Sequence, residues 1–160
     1  ATAFGLSPRM RFDLTISEFT RELFFGETLI VFDEHTWRPY CHVRDFARLI
    51  EIVFNAEKSL VNFEVFNAGG DKNNFTKKMI VDCIASKIEG AKIEYNQNDS
   101  DPRNYKVNFN KVKTVLGFVP EKSLEDGIDE LIESFNLGLF KDSKTNSEQY
   151  GNYKLNYSED

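Results

Sequence analysis

Apolar residues in this chain are spaced in two ways, and the two spacings alternate along its length. Between Thr15 and Phe25 they fall at Ile16, Phe19, Leu23 and Phe24, the i, i+3, i+7, i+8 pattern of one helical face, with Gly26 as a stop. Thr28 to Phe32 is then a short β-rich run and Trp37 to Val43 another, separated by the polar Asp33-Glu34-His35-Thr36, and a hairpin is the simplest pairing of the two. Helical spacing returns at Phe46, Leu49, Ile50, Val53 and Phe54, with Asp45 placed to cap that helix. A chain that keeps switching between the two periods must layer helices on sheet, which makes it α/β or α+β.

The later segments continue the alternation. Phe63 to Phe66 is an expected strand, closed by the turn-rich Asn67-Ala68-Gly69-Gly70-Asp71 and followed by a helix with Phe75, Met79, Ile80, Cys83, Ile84 and Ile88 facing inward. Ala91 to Tyr95 is a short strand, Asn96 to Asn104 a polar loop, and Asn110 to Leu116 a short helix stopped by Gly117. Ser123 and Asp126 form a capping pattern ahead of a last helix with the face Leu124, Ile128, Leu131, Ile132, Phe135 and Leu139. Ala1-Thr2-Ala3-Phe4 has the character of the end of a buried strand, with no strand expected elsewhere in the chain to flank it. From Lys141 the composition turns polar, although Tyr153, Leu155 and Tyr157 alternate as an edge strand would.

Composition narrows the function classes. At 160 residues the chain is sized for one domain with one sizeable core, residues 1–140, plus a polar tail over 141–160. Its 26 acidic against 20 basic residues give a net charge of -6, without the field that collects nucleic acid. No apolar run approaches the ~20 residues of a membrane span, and the N-terminus lacks a secretory pattern, so the expected compartment is the cytoplasm, with Cys41 and Cys83 as reduced, buried thiols.

Chemistry-bearing patterns are few. Neither G-x-G-x-x-G nor G-x-x-x-x-G-K-[ST] occurs, and Gly69-Gly70 is more simply a turn. His35 and His42 lack metal-site spacing, no nucleophile elbow is present, and His42 is expected to be a structural, hydrogen-bonded histidine. No metal and no catalytic residue are assigned. The arginines stand out: Arg9 and Arg11 in Ser-Pro-Arg-Met-Arg, Arg38 and Arg44 in Trp-Arg-Pro-Tyr-Cys-His-Val-Arg-Asp, and Arg103 in Asp-Pro-Arg-Asn-Tyr. Planar guanidinium groups flanked by aromatics and prolines suit bidentate anion contacts, and equally suit surface salt bridges.

Taken in order, Ala1-Thr2-Ala3-Phe4-Gly5, Ser7-Pro8-Arg9-Met10-Arg11-Phe12-Asp13-Leu14, Trp37-Arg38-Pro39-Tyr40-Cys41-His42-Val43-Arg44-Asp45, Phe66-Asn67-Ala68-Gly69, Asp101-Pro102-Arg103-Asn104-Tyr105-Lys106-Val107 and Leu116-Gly117-Phe118 form a recognisable series. It resembles the C-terminal half of the extended short-chain dehydrogenase/reductases, the NAD-dependent nucleotide-sugar epimerases and dehydratases. The resemblance implies an α/β fold: the last strands of a Rossmann-like parallel sheet plus the smaller, mixed α/β substrate-binding lobe, truncated at the N-terminus.

Several expectations come with it. The upstream half would carry the glycine-rich NAD loop and the Tyr-x-x-x-Lys pair, neither of which stands here at the required place. NAD belongs to the complete family enzyme, in which a Tyr phenolate takes a sugar hydroxyl proton as hydride passes to NAD; no cofactor and no turnover are expected of this chain alone. Arg38 and Arg103 are expected at the diphosphate of a nucleoside-diphosphate sugar, with Arg9 and Arg11 as further substrate contacts, and Thr2 and Asn67 beside the cofactor. Thr2 stands where many members have Asn, and Ser17 where relatives often place one. The implied partners are the nucleotide sugar and an upstream Rossmann half or partner chain, with homo-oligomer formation possible. Without that half, Phe63, Val65 and the helix from Phe75 to Ile88 are expected to leave an apolar face exposed. The alternative is a stand-alone, non-catalytic binding or assembly module.

Overall fold

A computed structural model describes residues 2–97 and 103–152 of the chain. Five strands and six α-helices interleave: β1 (Thr2–Phe4), α1 (Thr15–Phe24), β2 (Thr28–Phe32), β3 (Trp37–His42), α2 (Val43–Asn55), α3 (Lys58–Val61), β4 (Asn74–Thr76), α4 (Lys77–Ala85), β5 (Lys92–Asn96), α5 (Asn110–Leu116) and α6 (Leu124–Asn136). The fold is α/β, one of the two classes that the alternating periods allow.

The strands form two small sheets. In one, β1 runs parallel to β3, with Thr2 opposite Tyr40 and Phe4 opposite His42, and β3 runs antiparallel to β4, with Arg38 opposite Phe75. In the other, β2 and β5 are parallel, with Leu29 opposite Ile93. This overturns two expectations. The first strand is flanked inside the chain by β3, and β2 and β3 make no hairpin. Asp33 takes a φ of 52° and the Thr36 amide closes on its carbonyl at 3.0 Å, a turn that sends the chain into a different sheet instead of folding it back.

The main core gathers Phe4, Phe12, Ile16, Phe19, Leu23, Leu29, Val31, Tyr40, Ile80, Ile84, Ile128 and Leu131 from both sheets and from α1, α4 and α6. The helical face read at Ile16, Phe19 and Leu23 is buried as spaced. A second cluster, Leu49, Phe109, Val112 and Phe118, joins α2 to α5. Removing each such side chain from water contributes about 1.5–3 kcal/mol, so the two clusters hold the fold against chain entropy.

Caps decide where helices start. Ser123 Oγ accepts from the Asp126 amide at 3.0 Å while the Asp126 carboxylate accepts from the Ser123 amide at 2.8 Å, the reciprocal cap expected from the sequence. Gly117 closes α5 with a φ of 65°. Asp45 is not the cap of α2: His42 is, its Nδ1 accepting from the Arg44 amide at 3.2 Å. Asp45 lies in the first turn, fully buried, where its carboxylate accepts from the amides of Glu121 and Lys122 at 3.0 Å each and from Arg48 at 2.7 Å. It ties α2 to the segment entering α6.

Three further segments depart from the spacing. Thr76 Oγ1 caps α4 by accepting from Met79 N, so Phe75 belongs to β4, Ile88 lies past the helix, and Met79 is exposed. Leu139 lies beyond α6 and is exposed. Phe63 to Phe66 forms no ladder with any described segment, and Phe63 itself has a φ of 58°, which breaks an extended run. The α2 face is also less covered than its spacing implies: Leu49 is buried, but Ile50 is exposed and Phe54 is 83% exposed. No described sheet lies over that side. Phe63 and Val65 stand in solvent as expected, whereas Ile80, Val81 and Ile84 of α4 pack into the core.

The tail is less polar in its packing than in its composition. Phe140 and Tyr150 close on Phe12 with ring centroids 5.5 and 5.3 Å away. The alternation at Tyr153, Leu155 and Tyr157 lies outside the described residues. Cys41 and Cys83 are both free; Cys41 is buried, and Cys83 only half-buried. No helix of the described residues is long and apolar enough to cross a membrane.

Candidate functional site: a cationic and aromatic edge on β3

The N-terminal end of β3 carries Arg38, and the segment that follows Arg103 is attached beside it. The segment 103–107 has no regular secondary structure and is stitched onto β3 and β4. The Trp37 amide donates to the Asn104 side-chain oxygen at 3.0 Å, and the Tyr105 amide donates to the Trp37 carbonyl at 3.3 Å. Asn74 of β4 completes the attachment, accepting from the Val107 amide at 2.8 Å and donating to the Val107 carbonyl at 3.0 Å. Arg103 is the residue next to the Asn104 that is bonded to Trp37, one position before Arg38.

Two aromatic rings and two cations, Arg38 and Lys106, share this edge. The Arg38 guanidinium lies 5.3 Å from the Tyr105 ring centroid and donates to the Trp37 carbonyl at 2.8 Å, which fixes the side chain along the strand. Lys106 Nζ sits 3.6 Å over the Trp37 ring. Such an edge presents forked donors for a phosphate beside flat, polarisable surfaces for a ring. The neighbouring Cys41 is inert: burial first, and then the Asp45 charge, push its thiol up to about 12.

The other expected site residues are placed elsewhere. Thr2, half-buried in β1, lies across from Tyr40, next along the sheet from Arg38. Asn67 donates to the Asn108 carbonyl at 3.1 Å, beside the second core. Arg9 donates to the Gly151 carbonyl at 3.0 Å, and Arg11 forks onto Asp13 at 2.9 and 2.6 Å. Neither is joined to the Arg38 edge by these bonds. His42 is structural, as read, and Arg44 is exposed at the start of α2. Sequence reading missed Lys106, and it missed Asn74 as the residue that anchors 103–107; a side chain clamping both backbone groups of a residue 33 positions away leaves no periodic trace.

A cleft of ≈ 510 Å³ lies between the Gly69-Gly70 turn and the 118–125 segment, lined among others by Lys72, Phe109, Lys113 and Glu121. Arg38 and Arg103 do not line it. A Cβ at Gly69 would come within 2.6 Å of the Phe109 ring, so this glycine makes room for an aromatic side chain and not for a phosphate. Tyr150 is four residues ahead of Lys154 in sequence, but its hydroxyl donates to Asp142 at 2.7 Å, and that bond, with burial and the Asp142 charge, raises its pKa, the reverse of what a proton-abstracting phenolate needs.

No protein-family model matches the chain. It is 28% identical over 149 residues to the UDP-glucuronate 4-epimerase of Thermodesulfobacterium geofontis (strain OPF15), covering 89% of this chain and 44% of that protein. Against UDP-glucuronic acid decarboxylase 3 of Arabidopsis thaliana it is 30% identical over 139 residues, covering 82% of this chain and 39% of that one. The UDP-glucose 4-epimerase of Thermotoga maritima, solved with UDP-glucose, superposes with a TM-score of 0.70 at 25% identity over 86% of this chain and 44% of that chain.

The chain belongs to the extended short-chain dehydrogenase/reductase family. Within that family it corresponds to the C-terminal half, and it spans less than half the length of these relatives. A further extended short-chain dehydrogenase/reductase with the same fold, the UDP-glucuronic acid 4-epimerase of Bacillus cereus, was solved in complex with UDP-glucuronic acid and NAD; its TM-score is 0.71 at 22% identity, over 85% of this chain and 43% of that chain.

Proposed function

We propose that this chain is the nucleotide-sugar-binding portion of an NAD-dependent nucleotide-sugar epimerase or dehydratase, and that Arg38 and Arg103 hold the diphosphate of the substrate. The observation that supports the reading is the attachment of Asn104, Tyr105 and Val107 to Trp37 and Asn74, which brings the segment carrying Arg103 to the strand on which Arg38 lies against Tyr105. Each charge-assisted bond to a diphosphate would contribute about 1.5–3 kcal/mol, enough for two arginines to dominate recognition of the anion. The ligands of the solved relatives, UDP-glucose and UDP-glucuronic acid, make a uridine nucleotide the first ligand to try.

Turnover is not assigned to this chain alone. Its sequence holds no G-x-G-x-x-G loop, Tyr150 is held by Asp142, and NAD chemistry in this reading belongs to an upstream half of the dinucleotide fold. The exposed Phe54, Phe63 and Val65 are the surface on which that half would sit. Thr2, on the strand beside Tyr40, would then face the cofactor side. The compartment is the cytoplasm. A second reading, a stand-alone binding or assembly module, draws on one observation: β1 finds its neighbouring strand within the chain.

Calorimetric titration of UDP and of uridine into the chain tests the proposal. Saturable UDP binding that uridine does not match is the expected result, with no NADH formed when NAD and a UDP-sugar are supplied. Equal, unsaturable heats for both ligands would contradict it.

A further inference from the structure

The Ser7–Asp13 loop and the last described residues are joined by several hydrogen bonds. The Phe12 amide donates to the Tyr150 carbonyl at 2.7 Å, and Arg9 donates to the Gly151 carbonyl at 3.0 Å. Asp13 takes the Arg11 fork on both oxygens, and the Asn152 amide also bonds its carboxylate. Behind this seam the Phe12 and Phe140 rings pack against Phe135 of α6 with centroids 5.7 and 6.5 Å from it, and the Tyr150 ring packs on Phe140 at 5.9 Å. The Tyr150 hydroxyl is anchored in turn on Asp142, and the Asn146 side chain donates to the same carboxylate at 3.2 Å.

We infer that residues 138–152 form a strap latched onto the Ser7–Asp13 loop, and that Arg9 and Arg11 are positioning residues that serve this latch and are not ligands of the diphosphate. Both ends of the argument are geometric. The two guanidinium groups are already directed at the strap carbonyl and at a carboxylate that the strap itself holds. The backbone between them, at Phe12, is bonded to the strap directly. An anion at Arg9 or Arg11 would have to displace those partners, whereas the Arg38 edge is built by other segments. The inference rests on the proposed diphosphate site only for its binding measurement.

Amide hydrogen exchange and UDP titration on the full 160-residue chain separate the roles. Arg9→Ala and Asp13→Asn should each speed exchange at the Phe12 amide and across the strap by about tenfold, the loss of one such bond. Arg9→Lys, which can still reach the Gly151 carbonyl, should restore protection. Tyr150→Phe, a change too mild to unfold the chain, should loosen the strap through Asp142 alone. UDP affinity should stay within about twofold in all four. Unchanged exchange in Arg9→Ala overturns the inference, and so does a tenfold loss of UDP affinity that Arg9→Lys fails to rescue. Arg38→Lys in the same titration is the control: if it too leaves UDP binding unchanged, the diphosphate reading fails while the exchange data still decide the latch.

Discussion

His42 Nε2 lies 3.0 Å from the Glu130 carboxylate, and because His42 Nδ1 accepts from the Arg44 amide, the ring proton is on Nε2 and is donated to Glu130. The same Glu130 oxygen accepts from the Leu6 amide at 3.3 Å, so one carboxylate on α6 holds the strand end of β3 and the exit of β1. Burial alone would raise the Glu130 pKa; the Leu6 bond and His42 outweigh it, and the net direction is down. Gly5 is the residue that permits this, with a φ of 99° and a would-be Cβ only 2.1 Å from His42 Nε2. Gly5→Ala should therefore cost about 2–4 kcal/mol from backbone strain and overpacking together. Denaturant unfolding checks it, and a loss under about 1 kcal/mol would show that the junction can relax.

The carboxylate of Asp45 accepts from two backbone amides, those of Glu121 and Lys122, and from Arg48. Asp45→Ala leaves the Glu121 and Lys122 amides and the Arg48 charge without it, and should destabilise by about 2–4 kcal/mol. Asp45→Asn keeps one acceptor oxygen and should cost less. Thermal unfolding of the pair would reveal an equal loss if the site mattered only for its charge.

Glu18 behaves in the opposite sense to Glu130. Burial, and then the nearby Glu22, raise its pKa in the folded state. A carboxyl raised on folding disfavours the fold above its unfolded pKa, where it is charged, and that penalty fades as pH falls and it is protonated in both states. Glu18→Gln should therefore raise Tm at neutral pH, with the gain disappearing below pH ~4. A gain that is constant with pH would point to packing and not to charge.

Ser143 is fully buried, and its hydroxyl has no hydrogen-bond partner among the described residues. An unpaired buried hydroxyl costs about 1–3 kcal/mol, so Ser143→Ala should stabilise the strap by about 1 kcal/mol and slow its exchange. Faster exchange in Ser143→Ala would mean that the hydroxyl contributes a bond.

What the sequence made legible follows local physics. Ser123 with Asp126, Gly117 after α5, and the Ile16, Phe19, Leu23 stripe act within a few residues of themselves, and each was placed correctly by spacing. Pairing was not legible: β2 and β3 are adjacent in sequence, yet they join different sheets because their partners, β5 and β1, lie far along the chain in opposite directions. Asp45 shows the same limit at one residue. Its position suggested a cap, but a carboxylate satisfied by amides 76 and 77 residues away cannot be read from its neighbours. At the candidate site the arginines were visible as residue types, and the family series singled out Arg38 and Arg103. Their separation from Arg9 and Arg11 emerges only from the folded seam between the Ser7–Asp13 loop and the strap.

The central claim is that Arg38 and Arg103 grip a diphosphate, and the most direct measurement is calorimetric titration of UDP and of uridine into Arg38→Lys, Arg103→Lys and the double variant. Lysine keeps the charge and loses the fork, so each single change should weaken UDP binding by about tenfold or more while uridine binding stays as in the parent chain. The double variant should lose more than either. Unchanged UDP affinity with a lowered melting temperature would contradict the account and leave these arginines as structural salt-bridge residues.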